Sequence, residues 1–166
     1  MPLNVARVDW LDPRAVAQRA AMDSETSAMY AEFIASVRPE DQAAIDDALS
    51  VNPADIVVTI LALDGDEVVG HSALRPFPYP AVEPVATLEV KKVFVPVEHR
   101  GRGISRVLML ELEAIARERG VASLVLQTGP LQRPAIALYE SLGYQAIPPY
   151  GKYTVIPNAL CYQKSL

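Results

Sequence analysis

Cysteine is nearly absent from this sequence, and a single residue, Cys161, rules out an intramolecular disulfide. Histidine is scarce too: His71 and His99 with one cysteine make no zinc-binding set, so no metal is expected. No apolar run approaches the roughly 20 residues of a membrane helix. The opening segment MPLNVARVDW lacks a basic stretch followed by an apolar one. No membrane association and a cytoplasmic location are therefore expected. No basic run is interleaved with aromatics, which argues against nucleic-acid binding. Repeats, low-complexity stretches and linkers are missing as well, so residues 1–166 read as one domain.

What is present is an ordinary globular composition, 51% hydrophobic and 21% charged, with an uneven distribution of charge. Residues 1–66 carry 12 acids against 4 bases, and residues 67–166 carry 8 acids against 11 bases. An acidic front and a basic back suit a protein that attracts a cation with one part and holds an anion with the other. The plain alternative is a mildly acidic surface that keeps the protein soluble. The acids Asp23, Glu25, Glu32, Asp46 and Asp47 read first as a solvated helix face.

The order of elements is legible from punctuation and periodicity. Residues 4–10 alternate weakly as a first strand, and Asp12-Pro13 reads as a helix cap and first helical position. Helical patterns follow to Ala20 or beyond, then over 24–37 and 39–49. Residues 56–63 and 67–77 form a hairpin around Asp64-Gly65-Asp66. The proline-rich stretch 76–84 is a stiff exposed loop. Residues 85–97 form a long strand in which Lys91-Lys92 break the alternation and permit a bulge. Ile104, Leu108, Leu112 and Ile115 recur at helical spacing, with Glu113 and Arg117 as an i,i+4 pair and Gly120 as the stop. Residues 121–128 then read as a parallel neighbour of strand 85–97. A short helix from Pro134 to Gly143 and a closing strand near 159–163 complete the chain.

The stretch that organises the rest is VFVPVEHRGRGISR, Val93 to Arg106. A strand runs through a glycine-rich turn into a helix start. Glycines let the backbone approach a ligand, first-turn amides lack internal partners, and the helix dipole favours an anion there. Arginines add charge-assisted donors for phosphate oxygens. A Walker A loop fails, because Ile104 and Ser105 follow Gly103 where lysine and Ser/Thr belong. The dinucleotide fingerprint fails at Arg106 and in its place in the chain. Taken alone, the turn also fits tight turning without any ligand.

The segment 88–110, with LVLQTGPLQRPAIALYESLGY over 124–144, resembles the GCN5-related N-acetyltransferase superfamily. The family's Arg/Gln-x-x-Gly-x-Gly/Ala corresponds to Arg100 through Ser105, with serine in the last place. Its later Ala-Ile-x-Leu-Tyr helix corresponds to Ala135 through Tyr139, leading to Gly143-Tyr144. The resemblance implies a single α/β domain with a mixed, mostly antiparallel sheet of about six to seven strands flanked by helices. It implies acetyl-CoA as cosubstrate, held by Val93, Phe94, Val95, Arg100, Gly101, Arg102, Gly103, Ile104, Ser105, Arg106 and Gln132. Amides of the turn would cradle the pyrophosphate, and those of Val93 and Val95 would hold the thioester and pantetheine arm. Tyr139 resembles the family's proton donor to the departing thiolate; its bland alternative is a core residue of an amphipathic helix.

Glu89, four residues before Val93, stands where some family members place a carboxylate that deprotonates the amine. Two other roles stay open for it: anchoring a substrate ammonium, and pairing with Lys91 on the same face. His71 is either a second participant or a satisfied core histidine. Cys161 has no activating neighbour in sequence and is not assigned as a nucleophile. The function implied is acetyl transfer from acetyl-CoA to a primary amine of a small molecule or peptide, by direct attack in a ternary complex. The acidic front favours a cationic acceptor, and Tyr30, Tyr79 and Tyr150 are candidates to line its pocket. A monomer or homodimer is expected. The alternatives are a non-catalytic acyl-CoA sensor or interaction module and a nucleotide-binding protein.

Overall fold

Asp12 caps the first helix by accepting the Arg14 amide, and Pro13 follows it at a position where a missing N–H costs nothing. That helix, α1 (Pro13–Met29), comes after strand β1 (Asn4–Val8) in a computed structural model that describes residues 3–77, 79 and 86–166. Helix α1 continues without a break past Ala20 and ends at Tyr30, so the two helical patterns read around Asp23 are one helix plus a short one, α2 (Ala31–Ser36). No proline or glycine stands in this segment to interrupt it. Helix α3 (Pro39–Leu49) starts with Glu40 and Asp41 in its first turn, where the dipole favours acids.

Strands β2 (Val58–Asp64) and β3 (Glu67–Pro76) form the expected hairpin, with Gly65 at φ 64° in its turn. Strand β4 (Thr87–Phe94) is shorter than the sequence suggests at its end, stopping before Pro96, which has no amide to donate. The proline-rich loop read over 76–84 falls largely outside the described residues. Helix α4 (Ile104–Glu118), β5 (Ser123–Thr128), α5 (Arg133–Ser141), β6 (Gln145–Ile147), a 3-10 turn (Gly151–Val155) and β7 (Leu160–Ser165) follow.

The seven strands form one sheet in the order β1-β2-β3-β4-β5-β7-β6. All neighbours are antiparallel except β4 and β5, joined through α4 as a parallel pair. That pair is short: Thr87, Leu88 and Glu89 match Ser123, Leu124 and Val125, and beyond them the strands share no register. One face of the sheet is covered by α4, whose Ile104, Leu108, Leu112 and Ile115 are fully buried with Ile60, Leu74, Leu124 and Leu126. The helical period read in the sequence is thus the core stripe. Glu113 on α4 is also buried, bonded to Lys164 of β7 at 2.7 and 2.8 Å; Arg117, its expected partner, stands at 3.5 Å. The opposite face carries α1, α3 and the 3-10 turn.

Candidate functional site

Strand β4 bulges where the sequence permits it. His71 pairs with Phe94 and Ala73 with Lys91, so Lys92 and Val93 together oppose Ser72. Lys92 has a φ of 55°, a left-handed conformation. After the strand, Gly101 and Gly103 take φ of 77° and 75°, with nothing within 4 Å of where a Cβ would stand. Gly103 is the residue preceding α4, and no side chain caps that helix. Its first-turn amides are therefore free of a side-chain partner at the end of a strand pair that has come apart.

A cleft of about 260 Å³ opens in that split. Val93, Phe94, Val95, Arg100, Gly101, Gly103, Ile104, Ser105, Gln132 and Tyr139 all line it, which brings together most residues singled out in the sequence. Met22, Glu25, Thr26 and Met29 of α1 close the other side, and nothing in their local sequence marks them as cleft residues. Gln132 has its carboxamide oxygen held by Thr128 Oγ1 at 2.9 Å and the Gly129 amide at 3.0 Å, which turns its NH2 group away from these two donors. Burial pushes the Tyr139 phenol well above its usual range and keeps it protonated.

Arg100 and Arg102 of the turn and Arg106 at the start of α4 are each held by a protein partner. Arg100 donates to Val95 O at 2.9 Å and to Glu25 at 2.5 Å. Arg102 reaches Asp64 in the hairpin turn at 2.5 Å, and Arg106 reaches Ser141 Oγ at 2.7 Å. Of the three, Arg100 alone lines the cleft. The acids of α1 are likewise engaged: Asp23 pairs with Lys92 at 2.9 Å as Glu25 does with Arg100. They are a counter-charge to the site's own bases, on side chains that stay partly in solvent.

Glu89 lies outside the cleft lining and is fully buried. Its carboxylate accepts from Arg75 Nε at 2.5 Å, Tyr153 Oη at 2.6 Å and Tyr150 Oη at 2.9 Å. Lys91 does not pair with it directly; its ammonium donates to the same Tyr153 hydroxyl at 2.7 Å. Burial, the largest influence, pushes Lys91 down to about 8, against the opposing pull of Glu89. This cluster pins the 3-10 turn to the sheet. Tyr79 and Tyr150 gather beside it with Phe77, whereas Tyr30 stands apart and accepts the Leu131 amide at 3.2 Å. His71 is a satisfied core histidine, with both ring nitrogens engaged. Cys161 is buried, and desolvation pushes its thiol up to about 11.

One cleft in the split sheet thus brings together the uncapped start of α4 and the buried Tyr139 phenol. The chain belongs to the acetyltransferase (GNAT) family, whose sequence profile matches residues 19–144. It is 38% identical over 85 residues to N-acetyltransferase 8 of Mus musculus, covering 51% of this chain and 37% of that protein. It is 40% identical over 78 residues to the IAA acetyltransferase of Azospirillum brasilense, covering 47% of this chain and 51% of that protein. The matches thus span about a third to a half of these relatives' own lengths. Among solved structures, a Klebsiella pneumoniae protein assigned as an acyl-CoA N-acyltransferase superposes with a TM-score of 0.73 at 26% identity, over 99% of this chain and 97% of that one. The PaiA N-acetyltransferase of Thermoplasma acidophilum, solved with coenzyme A, shares the fold with a TM-score of 0.66 at 16% identity over the full length of both chains. Among the described residues no helix is long and apolar enough to cross a membrane.

Proposed function

We propose that this chain transfers the acetyl group of acetyl-CoA to a primary amine of a small molecule or peptide, by direct attack in a ternary complex. The observation that carries this reading is the convergence of the β4 bulge, the Gly101-to-Ser105 turn and Tyr139 on one cleft. Relatives named as N-acetyltransferases and fold neighbours solved with coenzyme A or acetyl-CoA support it. The left-handed glycines leave open space where a Cβ would otherwise stand, which suits close approach of a pyrophosphate. When bound, acetyl-CoA supplies the acyl group as a thioester.

The chain's own residues then divide the work. Amides of the turn and the dipole of α4 hold the phosphates. The Val93 amide offers a preorganised donor for charge developing on the thioester oxygen. Tyr139 holds a proton at its hydroxyl for the leaving sulfur. Cys161 sits outside the cleft with its thiol pushed up, which favours direct attack over an acyl-enzyme. Glu89 is better supported as a fastener than as a base, because three donors, one of them the ion-paired Arg75, already occupy it. With Asp23 and Glu25 engaged, the acidic front gives little support to a cationic acceptor.

Coenzyme A release over a panel of amines tests the reading. Turnover on at least one amine is the expected result. Tight acetyl-CoA binding with no turnover on any amine would favour the sensor instead, and ATP competing with coenzyme A would favour a nucleotide site. Gly103→Val should abolish coenzyme A binding while circular dichroism shows the fold retained.

A further inference from the structure

Lys92 occupies a left-handed backbone conformation, unfavourable for any residue that carries a Cβ. Such a residue persists where its surroundings over-determine it. Here the surroundings are specific. The Lys92 carbonyl meets His71 Nδ1 at 2.8 Å. A carbonyl only accepts, so Nδ1 carries the proton. The other ring nitrogen, Nε2, meets Arg19 Nη1 at 3.2 Å, and a guanidinium only donates, so Nε2 is the acceptor. His71 is therefore neutral, in one tautomer. Desolvation, the largest influence, pushes it down to about 4, which keeps it so across the neutral range.

Arg19 is itself fixed. Its Nη2 donates to Trp10 O at 2.6 Å, and its guanidinium lies 3.6 Å from the centre of the Trp10 ring. A chain of contacts thus runs from Trp10 through Arg19 and His71 to a single backbone carbonyl. The peptide unit that carries it joins Lys92 to Val93. It is planar and trans, so its N–H points opposite to its C=O. Held by its carbonyl to the His71 ring, the unit directs the Val93 N–H away from that ring, and Val93 itself lines the cleft.

We propose that His71 is a positioning residue for acyl transfer: its Nδ1–H holds the Lys92 carbonyl, so that the bulge presents the Val93 amide to the cleft, with Arg19 and Trp10 fixing the imidazole tautomer. This rests on the acyl-transfer reading above for its purpose, but not for its geometry. It gives a role to three buried or half-buried side chains, none of which lines the cleft. It also explains why a lysine stands where a bulge of this kind usually has glycine. The lysine is held at both ends, its carbonyl by His71 and its ammonium by Asp23.

The test compares His71→Asn, which keeps an N–H donor near the place of Nδ1, with His71→Leu, which keeps bulk and loses the donor. NMR of the unliganded protein reads the backbone coupling of Lys92 and the amide resonance of Val93. The leucine variant should release Lys92 from its positive φ and shift the Val93 amide, and the asparagine variant should leave both near their native values. With a substrate in hand, His71→Leu should lower kcat about tenfold or more, in line with loss of an oxyanion donor, at a nearly unchanged KM for acetyl-CoA. His71→Asn should recover most of that loss. Should His71→Leu not fold, the double variant His71→Leu with Lys92→Gly, in which glycine takes the bulge conformation freely, is compared with Lys92→Gly alone: a shifted Val93 amide in the double variant is the expected result, and identical Val93 resonances overturn the proposal. Lys92 remaining at positive φ in the leucine variant, or equal kcat losses in both single variants, overturns the proposal. Absence of turnover in the native protein, with the Lys92 result as expected, overturns the acyl-transfer reading alone.

Discussion

Glu25 on α1 and Arg100 in the glycine-rich turn meet across the cleft, carboxylate to guanidinium at 2.5 Å, and both line it. The Arg100 side chain is anchored separately, through Nε on Val95 O, so it can exchange its carboxylate partner for a phosphate without moving. Glu25→Gln should therefore tighten coenzyme A binding. An exposed pair of this kind is worth up to about 1 kcal/mol, which corresponds to about fivefold in affinity. Calorimetry with coenzyme A decides it, and weaker binding in the variant would show that Glu25 supports the turn instead of competing for it.

Removal of Glu89 should cost stability before it costs chemistry. Breaking a buried ion pair from one side typically costs about 3–5 kcal/mol, because a desolvated charge is left alone. Glu89→Gln and Arg75→Met should each lower the urea midpoint substantially, and the double variant should lose much less than the sum. Additive losses would mean that the 2.5 Å contact contributes nothing by itself.

The buried Lys91 gives stability an unusual pH dependence. Its folded value is about 8 against 10.5 unfolded, so between them the unfolded chain binds more protons and stability rises with pH. From pH 8 to 9 the gain should be about 1 kcal/mol. Above pH 9 Cys161 opposes it, because its thiol is raised from 9 to about 11 and that contribution is lost as pH climbs. Arg75, Glu89, Lys92 and Cys161 face Lys91 electrostatically, and Tyr153 bonds it. Chemical denaturation at pH 8 and 9 should show the rise in the native protein and none in Lys91→Met.

Tyr139→Phe should lower kcat by about 100-fold or more, the usual scale of a lost general acid, with little change in affinity for acetyl-CoA. Because burial raises the phenol, no loss of activity below pH 10 should trace to its ionisation. Unaltered turnover in the variant would remove Tyr139 from the chemistry and leave it as a core residue.

Local pattern carried the elements, and distance in sequence hid the partners. The α4 stripe of Ile104, Leu108, Leu112 and Ile115, the bulge that Lys91-Lys92 permit, which falls at Lys92 and Val93, and the left-handed turn at Gly101 and Gly103 follow from periodicity and residue type, and all are present. What escaped is what the chain brings together from afar. Arg100 finds Glu25 from 75 residues away, and Arg19 finds His71 from 52. Glu89 takes Arg75 instead of Lys91 because the β3–β4 register sets Arg75 directly beside it, and register is a property of the folded pair. The sequence reads as a helix to Ala20 or beyond and a second over 24–37. Nothing in the segment prevents the helix from continuing, and it does.

The short seam between β4 and β5 has a consequence for the protein in the absence of any ligand. Three matched residues hold two half-sheets together, and past them each strand presents an edge in the middle of the fold. Such an edge is a template for pairing with a stray strand from another chain. The α1 side chains Met22, Thr26 and Met29 lie over that opening, and the Asp23 and Glu25 ion pairs fasten the helix there. Loosening helix α1 should therefore uncover that edge and show first as aggregation during expression.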